Sequence, residues 1–385
     1  EGRGEGRRGD GGRGQRMSAI RPLTRDDLPA VASLYERVAR SGGTVPAAPL
    51  ADYLARLCLD APWVDPEIPS LVSEQGDGRI VGFLGSYPRR LRLDGRALRV
   101  GCSGHLAADP STPGVGALLT RTYLRGPQDL TITDGATDLM RRMWRTLRGR
   151  VRTAPSFGWY RVLRPTSALA ALLGDRGRTV PGPLRTAGAG VDALARRVPR
   201  IGARPAPAPD PELTAEPLTV DALLEQVAAA PRHWRLHPDY DSTYLTALFA
   251  ELDAVAPARG EVVRHLVRGR GGRVLGWYVA FAPPGGIVQV QQLAAVGPDP
   301  GPVLDHLVAD ADARGAAAVA GRLEPSLAEA VRARRCLVRP AAWALVDSED
   351  TGVLAALDAD DTLLTRMDGE WWMGHHVLWR GGTTP

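Results

Sequence analysis

The sequence predicts an α/β protein of two successive units, each a mixed, largely antiparallel sheet flanked by helices. Three observations carry that expectation. The chain has 385 residues, enough for two hydrophobic cores. Helical apolar spacing gives way to alternating runs split by glycine turns, then returns, and this happens twice. Between the two occurrences, residues 174–217 are rich in Pro, Gly, Ala and Arg, the composition of a linker.

Taken in order, residues 1–16 carry five Arg against three acids and nothing that could build a core, so they are expected to be a disordered tail. The tail resembles an arginine-glycine RNA-binding segment, or it lies upstream of a true start at Met17, where periodic sequence begins. Residues 28–38 have helical spacing behind Asp26 and Asp27, and residues 50–59 read as a second helix. Strand runs follow at 70–73, 79–87 and 91–106, divided by Gly76-Asp-Gly and Asp94-Gly turn signals. Next come a helix to about residue 125, a strand at 130–134, a helix to about 147, and a strand pair around Val151 and Tyr160. The expected division is therefore 17–165 for the first domain, 166–217 for the linker, with one short helix at 190–197, and 218–385 for the second domain.

Gly114 and Gly116 stand at the head of the helix that follows Asp109-Pro110. Each glycine costs about 1 kcal/mol in a helix relative to alanine, so two together call for a reason. Bare backbone at a helix start points several N–H groups into the positive end of the macrodipole, where a phosphate can sit. The alternative is a turn in which Thr112 caps the helix and Pro113 takes its first position.

The segment resembles the acetyl-CoA motif of the GNAT acetyltransferase superfamily, Arg/Gln-x-x-Gly-x-Gly/Ala after the strand that pairs with pantetheine. Gly114-Val115-Gly116 fills its glycine part, and Leu106-Ala107-Ala108-Asp109-Pro110 is similar to the strand end before it. Ser111 stands at the Arg/Gln position, a shorter and uncharged departure. Upstream, the run from Ile20 to Tyr35 resembles the family's opening strand and helix, and Ile80 to Tyr87 its meander; the likeness covers residues 17–165. It implies two GNAT-like domains and an acyltransferase that takes an acetyl or other acyl group from acetyl-CoA to an amine. The implied donor-binding residues are Leu106, Ala107, Ala108, Gly114, Val115, Gly116, Ala117 and Leu118. His105 matches the position of a frequent catalytic Glu, and it titrates near neutrality, so it is the candidate base; a structural, hydrogen-bonded histidine is the alternative. Trp144 stands where the family's helix carries a Tyr acid, and an indole N–H cannot supply that proton.

The second half repeats the plan, with helices at 218–229 and 244–252, strands at 262–268, 273–281 and 287–295, then helix, strand and helix to 334. In place of the glycine loop it has Val296-Gly-Pro-Asp-Pro-Gly-Pro302. Three prolines lack N–H groups and Asp299 adds negative charge, so this half is expected to have lost donor binding.

Other constellations are thinner. His233 and His237 have the i, i+4 spacing of a metal-binding helix, but no third ligand is evident and Pro238 follows, so no metal is expected. His375 and His376 are adjacent and would face opposite sides of a strand. Asp368-Gly-Glu-Trp-Trp-Met373 sets two indoles beside a carboxylate, to line an acceptor pocket between the halves or to fill a core. All 48 basic residues are arginine, and without residues 1–16 the formal charge falls from +5 to +3, too little to imply a nucleic-acid partner. No apolar run is long enough to span a bilayer, and three widely spaced cysteines suit a reducing cytoplasm. The expectation is a cytoplasmic enzyme with a small-molecule acceptor and no membrane partner, a homo-oligomer being left open. A non-catalytic acyl-CoA-binding protein and a relative of the aminoacyl-tRNA-dependent peptidyl transferases stay open as alternatives.

Overall fold

The computed structural model describes residues 19–39, 47–147, 149–175 and 210–373. The tail at 1–16, Met17, the short helix expected at 190–197 and the pair His375–His376 lie outside these residues.

Strand β1 (Ala19–Pro22) leads into helices α1 (Leu28–Ala39) and α2 (Ala47–Ala55). Ahead of α1, the Asp27 carboxylate accepts from the backbone N–H and the hydroxyl of Thr24 and fixes where the helix starts. The stripe Val31, Ala32, Leu34 and Tyr35 then faces the core. A meander follows: β2 (Leu71–Glu74), β3 (Ile80–Ser86), β4 (Arg89–Leu93) and β5 (Arg96–Ala108). Asp94 and Gly95, at φ of 50° and 83°, make a two-residue hairpin turn in which Leu93 pairs with Arg96. Both turn positions need positive φ, which is why the Asp-Gly pair was a readable signal. All seven residues of β3 are buried, with α1 and α3 (Val115–Leu124) packed against it. Gly82 permits that approach, since an added Cβ would overlap the Val115 and Leu119 side chains.

After α3 come β6 (Leu130–Ala136), α4 (Asp138–Thr146), β7 (Arg150–Arg152), β8 (Phe157–Val162) and α5 (Pro165–Asp175). The second half contributes β9 (Thr214–Pro217), α6 (Val220–Ala228), β10 (Leu236–Pro238), α7 (Ser242–Arg259) and β11 (Glu261–Arg268). It continues with β12 (Val274–Ala282), β13 (Ile287–Ala295), α8 (Gly301–Ala313) and β14 (Ala318–Arg322). Last come α9 (Ala328–Ala333), β15 (Leu337–Pro340), β16 (Trp343–Asp347) and α10 (Thr351–Leu357). Helix α5 and strand β9 occupy the two ends of the expected linker.

The strands form two sheets, and the sheets exchange members. The first runs β1-β2-β3-β5-β6-β16-β7, with β4 and β10 on a side path; the second runs β15-β8-β14-β13-β12-β11-β9. The sequence suggests that β7 and β8 pair with each other, and they do not. A 3-10 turn at Ala154–Ser156, carrying Pro155, redirects the chain after three residues of β7. β8 then enters the second sheet between β14 and β15, while β16 returns to fill the first sheet between β6 and β7. Trp144 belongs to this junction. It is 1% exposed and its indole N–H donates to the Val346 carbonyl at 3.1 Å, which makes it a packing residue. One apolar cluster joins the halves, from Leu34 and Leu54 through Leu245 and Trp277 to Trp372.

Candidate functional site

The site is an opening in the first sheet. β5 and β6 are parallel partners only where Val100–Cys102 meets Leu130–Ile132. Beyond that point they part, and the cause lies in β5. Gly85 pairs with Gly104 and Phe83 with Ala107, so His105 and Leu106 together oppose the single residue Leu84. His105 adopts φ of 53°, a left-handed conformation that costs a non-glycine residue about 1–2 kcal/mol. A bulge of this kind bends its strand, and residues 103–108 keep one edge without a strand partner among the described residues.

The start of α3 lies over the end of that edge. Thr112 does not cap the helix as the turn reading supposed; its hydroxyl donates to the Asp109 carbonyl at 2.9 Å. The N-cap is Gly114, at φ of 90°, and no side chain caps the helix there. The Val115 N–H reaches the Thr112 carbonyl at 3.4 Å, and those of Gly116 and Ala117 have no side-chain cap among the described residues. A Cβ on Gly114 would meet nothing within 4 Å, and one on Gly116 would touch Ala108 and Leu106 at 3.6 and 3.7 Å. Ser111 turns away from this opening: its N–H and hydroxyl donate to the Asp109 carboxylate at 2.9 and 2.6 Å and brace the loop. Arg79 and Arg37 approach the same carboxylate at 3.1 and 3.7 Å and offset its charge.

The predicted donor-binding residues thus converge, though not all by side chain. Leu106 and Ala108 pack beside the buried Val115, whose side chain belongs to the core, and Ala107 is 1% exposed. Leu118 is 43% exposed. What Gly114, Gly116 and Ala117 offer is backbone. The corresponding helix start in the second half is closed. Asp299 accepts the Gly301 N–H at 2.8 Å, and a Cβ on Gly301 would collide with Arg334, which is itself held by Asp305.

His105 is 5% exposed and sits among the rings of Tyr35, Tyr53 and Tyr87, at centroid distances of 5.8, 6.5 and 5.5 Å. Its Nδ1 is hydrogen-bonded to the Tyr87 hydroxyl. The ring therefore packs among residues of α1 and α2.

The group that reaches the opening comes from the other end of the chain. Glu370, 4% exposed, packs against Gly104 of β5, where an added Cβ would lie 2.7 Å from its Cγ. Its carboxyl accepts from the Thr133 hydroxyl at 2.6 Å and from the N–H groups of Asp134 and Gly135 at 2.9 Å each. It thus spans the gap between β5 and β6. Burial, reinforced by the adjacent Asp134 carboxylate, pushes its pKa up to about 8. The Cys102 thiol lies 3.6 Å from Glu370, and burial raises its pKa well above the usual range, so it is no ready nucleophile. In Asp368–Met373 the sequence sets two indoles beside a carboxylate, either to line a pocket or to fill a core. Trp372 does fill the core and Trp371 lies against Arg259 and Arg366, but the carboxylate beside them is what enters the site. Tyr53 of α2 also donates its hydroxyl to the Met373 carbonyl, fastening this segment down.

His233 and His237 do not share a helix. His233 follows a 3-10 turn, whereas His237 lies on β10, paired with β4, its Nδ1 3.0 Å from the Pro238 carbonyl. Cys58 and Cys102 are buried thiols and Cys336 is partly buried. Among the described residues, no helix is long and apolar enough to cross a membrane.

No family model and no curated protein matches the sequence. Solved structures do match. A GCN5-related N-acetyltransferase from Anabaena variabilis aligns over 87% of this chain and 73% of its own, with a TM-score of 0.54 and 10% identity. One from Kribbella flavida aligns over 87% and 72%, with a TM-score of 0.52 and 16% identity. The bulged strand, the parting from its parallel neighbour and the glycine-led helix recur in outline in the second half as β13, β14 and the closed start of α8, and the chain has the GCN5-related N-acetyltransferase fold in tandem.

Proposed function

We propose that this chain is an acyltransferase that moves an acetyl group from acetyl-CoA to the amine of a small acceptor, using the opening in its first half. The observation that carries this reading is the parted pair β5 and β6 beneath an uncapped, glycine-led helix start. Residues 106–108 present an unpaired strand edge suited to an amide-bearing arm, and the N–H groups of Gly116 and Ala117 suit a pyrophosphate. The donor supplies the thioester, whose cleavage drives transfer. The chain supplies position and a proton carrier. Attack by a neutral amine forms the amide C–N bond and breaks the C–S bond, expelling CoA as a thiolate. Glu370 Oε2 is the atom we assign to take the amine proton, which then passes to the thiolate to give CoA thiol. A carboxyl with its pKa near 8 exchanges protons readily around neutrality, which favours catalysis over simple binding. Close packing of Glu370 against Gly104 and Cys102 at the narrow end favours a short acyl group.

The test is calorimetric titration of the full chain with CoA, followed by thiol release from acetyl-CoA over a panel of primary amines. Binding of one CoA with amine-dependent thiol release is the expected result. Binding without turnover would identify a non-catalytic acyl-CoA-binding protein, and absence of binding would remove the proposal.

A further inference from the structure

Away from the opening, Trp63, Arg89 and Tyr244 line a second concavity of about 340 Å³ where the first half meets α7. Its three arginines are not all ion-paired. Arg90 is paired with Asp241, and Arg99 with Asp65 and Glu67, both at 2.8 Å. Asp65, the acidic side chain in the lining, is thus engaged through one oxygen, and its other accepts the Glu67 N–H at 2.9 Å. Arg89 is different. It is 4% exposed, and its bonds go to the backbone carbonyls of Asp368, Pro88 and Gly369, at 3.1, 3.2 and 3.4 Å. Among the described residues no carboxylate stands within ion-pair distance of it. A guanidinium has five N–H donors, so donors remain beyond these three. The cation is otherwise steadied by the faces of Trp63 and Tyr244, at 5.3 and 5.9 Å.

A second observation lies in the same lining. Tyr244 is 5% exposed and its hydroxyl is buried without a hydrogen-bond partner among the described residues. Such a group has given up its bond to water and gained none in return. The ring cannot swing to find one, because it stacks on Tyr240 at 5.5 Å and meets Trp63 edge-on at 5.8 Å. A buried cation without an ion-pair partner and a tyrosine whose buried hydroxyl has no hydrogen-bond partner, both among the described residues, therefore line one cavity, whose remaining surface includes Pro62, Pro66, Pro88 and Ile68.

We propose that this cavity is a binding site for a small organic monocarboxylate. The carboxylate oxygens accept from Arg89 and from the Tyr244 hydroxyl, and the organic body lies against the Trp63 indole and the proline rings. One guanidinium without an ion-pair partner suits a monoanion, and its planar fork matches a planar carboxylate better than a dianionic phosphate. The site adjoins the transferase opening without entering it, since the Asp368 and Gly369 carbonyls that hold Arg89 immediately precede Glu370. Nothing in this assignment depends on acyl transfer.

The experiment titrates the full chain calorimetrically with benzoate and with benzamide, its neutral isostere, with and without saturating CoA. Benzoate should bind with a dissociation constant of about 1 mM or tighter. Benzamide should bind about tenfold more weakly, as the loss of one charge-assisted hydrogen bond requires. CoA should not displace benzoate. Tyr244→Phe removes a hydroxyl that satisfies nothing in the free protein, so the variant should melt no lower than wild type while binding benzoate about tenfold more weakly. Equal affinity for the two probes, displacement by CoA, no benzoate binding, or unchanged affinity in Tyr244→Phe would each overturn the proposal.

Discussion

Glu370 and Asp134 hold each other by a reciprocal exchange. The Glu370 carboxyl accepts the Asp134 N–H at 2.9 Å, and the Asp134 carboxylate accepts the N–H groups of Glu370 and Trp371 at 3.0 Å each. Arg322 of β14 completes the seam with an ion pair to Asp134 at 2.9 Å. A strand of the first half, a strand of the second and the C-terminal segment are thereby fixed at one place, beside the opening between β5 and β6. Burial and the adjacent Asp134 carboxylate raise the Glu370 pKa to about 8, well above that of an ordinary carboxyl.

Catalysis should follow that proton. If ionised Glu370 accepts the amine proton, turnover rises with pH to a plateau above about 8. Glu370→Gln should lower turnover by roughly 100-fold or more and flatten this limb, while CoA affinity changes little. Steady-state rates against pH for both proteins decide it; a limb that survives in the variant excludes Glu370 as the base.

Stability should follow it too, with the opposite sense. Glu370 holds its proton up to about pH 8 in the folded chain, against an ordinary value of 4.5. Between these limits the folded state binds more protons than the unfolded one, so this group's contribution to stability falls as pH rises through that window and levels above it. Urea unfolding should therefore show Glu370→Gln gaining on wild type from about pH 5 to pH 8. Parallel pH curves would contradict the raised value.

For His105 the expected role is structural. Its ring fills a nook of three tyrosines, and its backbone is left-handed. Asparagine tolerates that conformation and a β-branched residue does not, so His105→Val should be less stable than His105→Asn by about 1–2 kcal/mol. The Asn variant should keep the wild-type pH profile. If its limb moves while that of Glu370→Gln stays, the base is His105 after all.

Much of this was readable along the chain. Asp94-Gly95 announced its hairpin because only such residues accept positive φ at both turn positions. Gly114 announced an unusual helix start for the same reason. Thr112 misled, because a side chain able to cap can equally bond back to its own loop, and the Asp109 carbonyl took it. The exchange of β8 and β16 had no local signature. Alternation shows which face of a strand is buried but not which distant strand lies beside it. Glu370 was visible only as an oddity between glycine and two indoles. Its meaning depends on Gly104 and Asp134, 266 and 236 positions away.

The glycines should separate strain from occupancy. A Cβ on Gly114 has open space but an unfavourable φ, so Gly114→Ala should lose about 1–2 kcal/mol of stability and still bind CoA. Gly116→Ala makes only ordinary contacts and should be neutral or slightly stabilising. Gly116→Glu places a charge where the pyrophosphate is expected and should abolish binding while the chain stays folded. Because Asp299 and Arg334 close the start of α8, wild type should bind one CoA and Gly116→Glu none. Calorimetric stoichiometry checks both numbers; residual binding in Gly116→Glu would place a donor site in the second half.

Neither half should fold alone. A fragment ending at residue 165 lacks β16, so β6 and β7 lose the strand that joins them, and the Trp144 indole loses the Val346 carbonyl. A fragment beginning at residue 216 lacks β8, so β14 and β15 lose theirs. Each gap exposes strand edges in the interior of a sheet, where unpaired N–H and C=O groups promote aggregation. Expressed separately, the fragments should be insoluble or molten. Expressed together, they should recover a single cooperative unfolding transition near that of the intact chain, because the missing strands are then supplied in trans. A soluble, cooperatively folded fragment of residues 17–165 would show that β16 is dispensable to the first sheet. It would also detach Glu370 from the site, and with it the proton carrier assigned here.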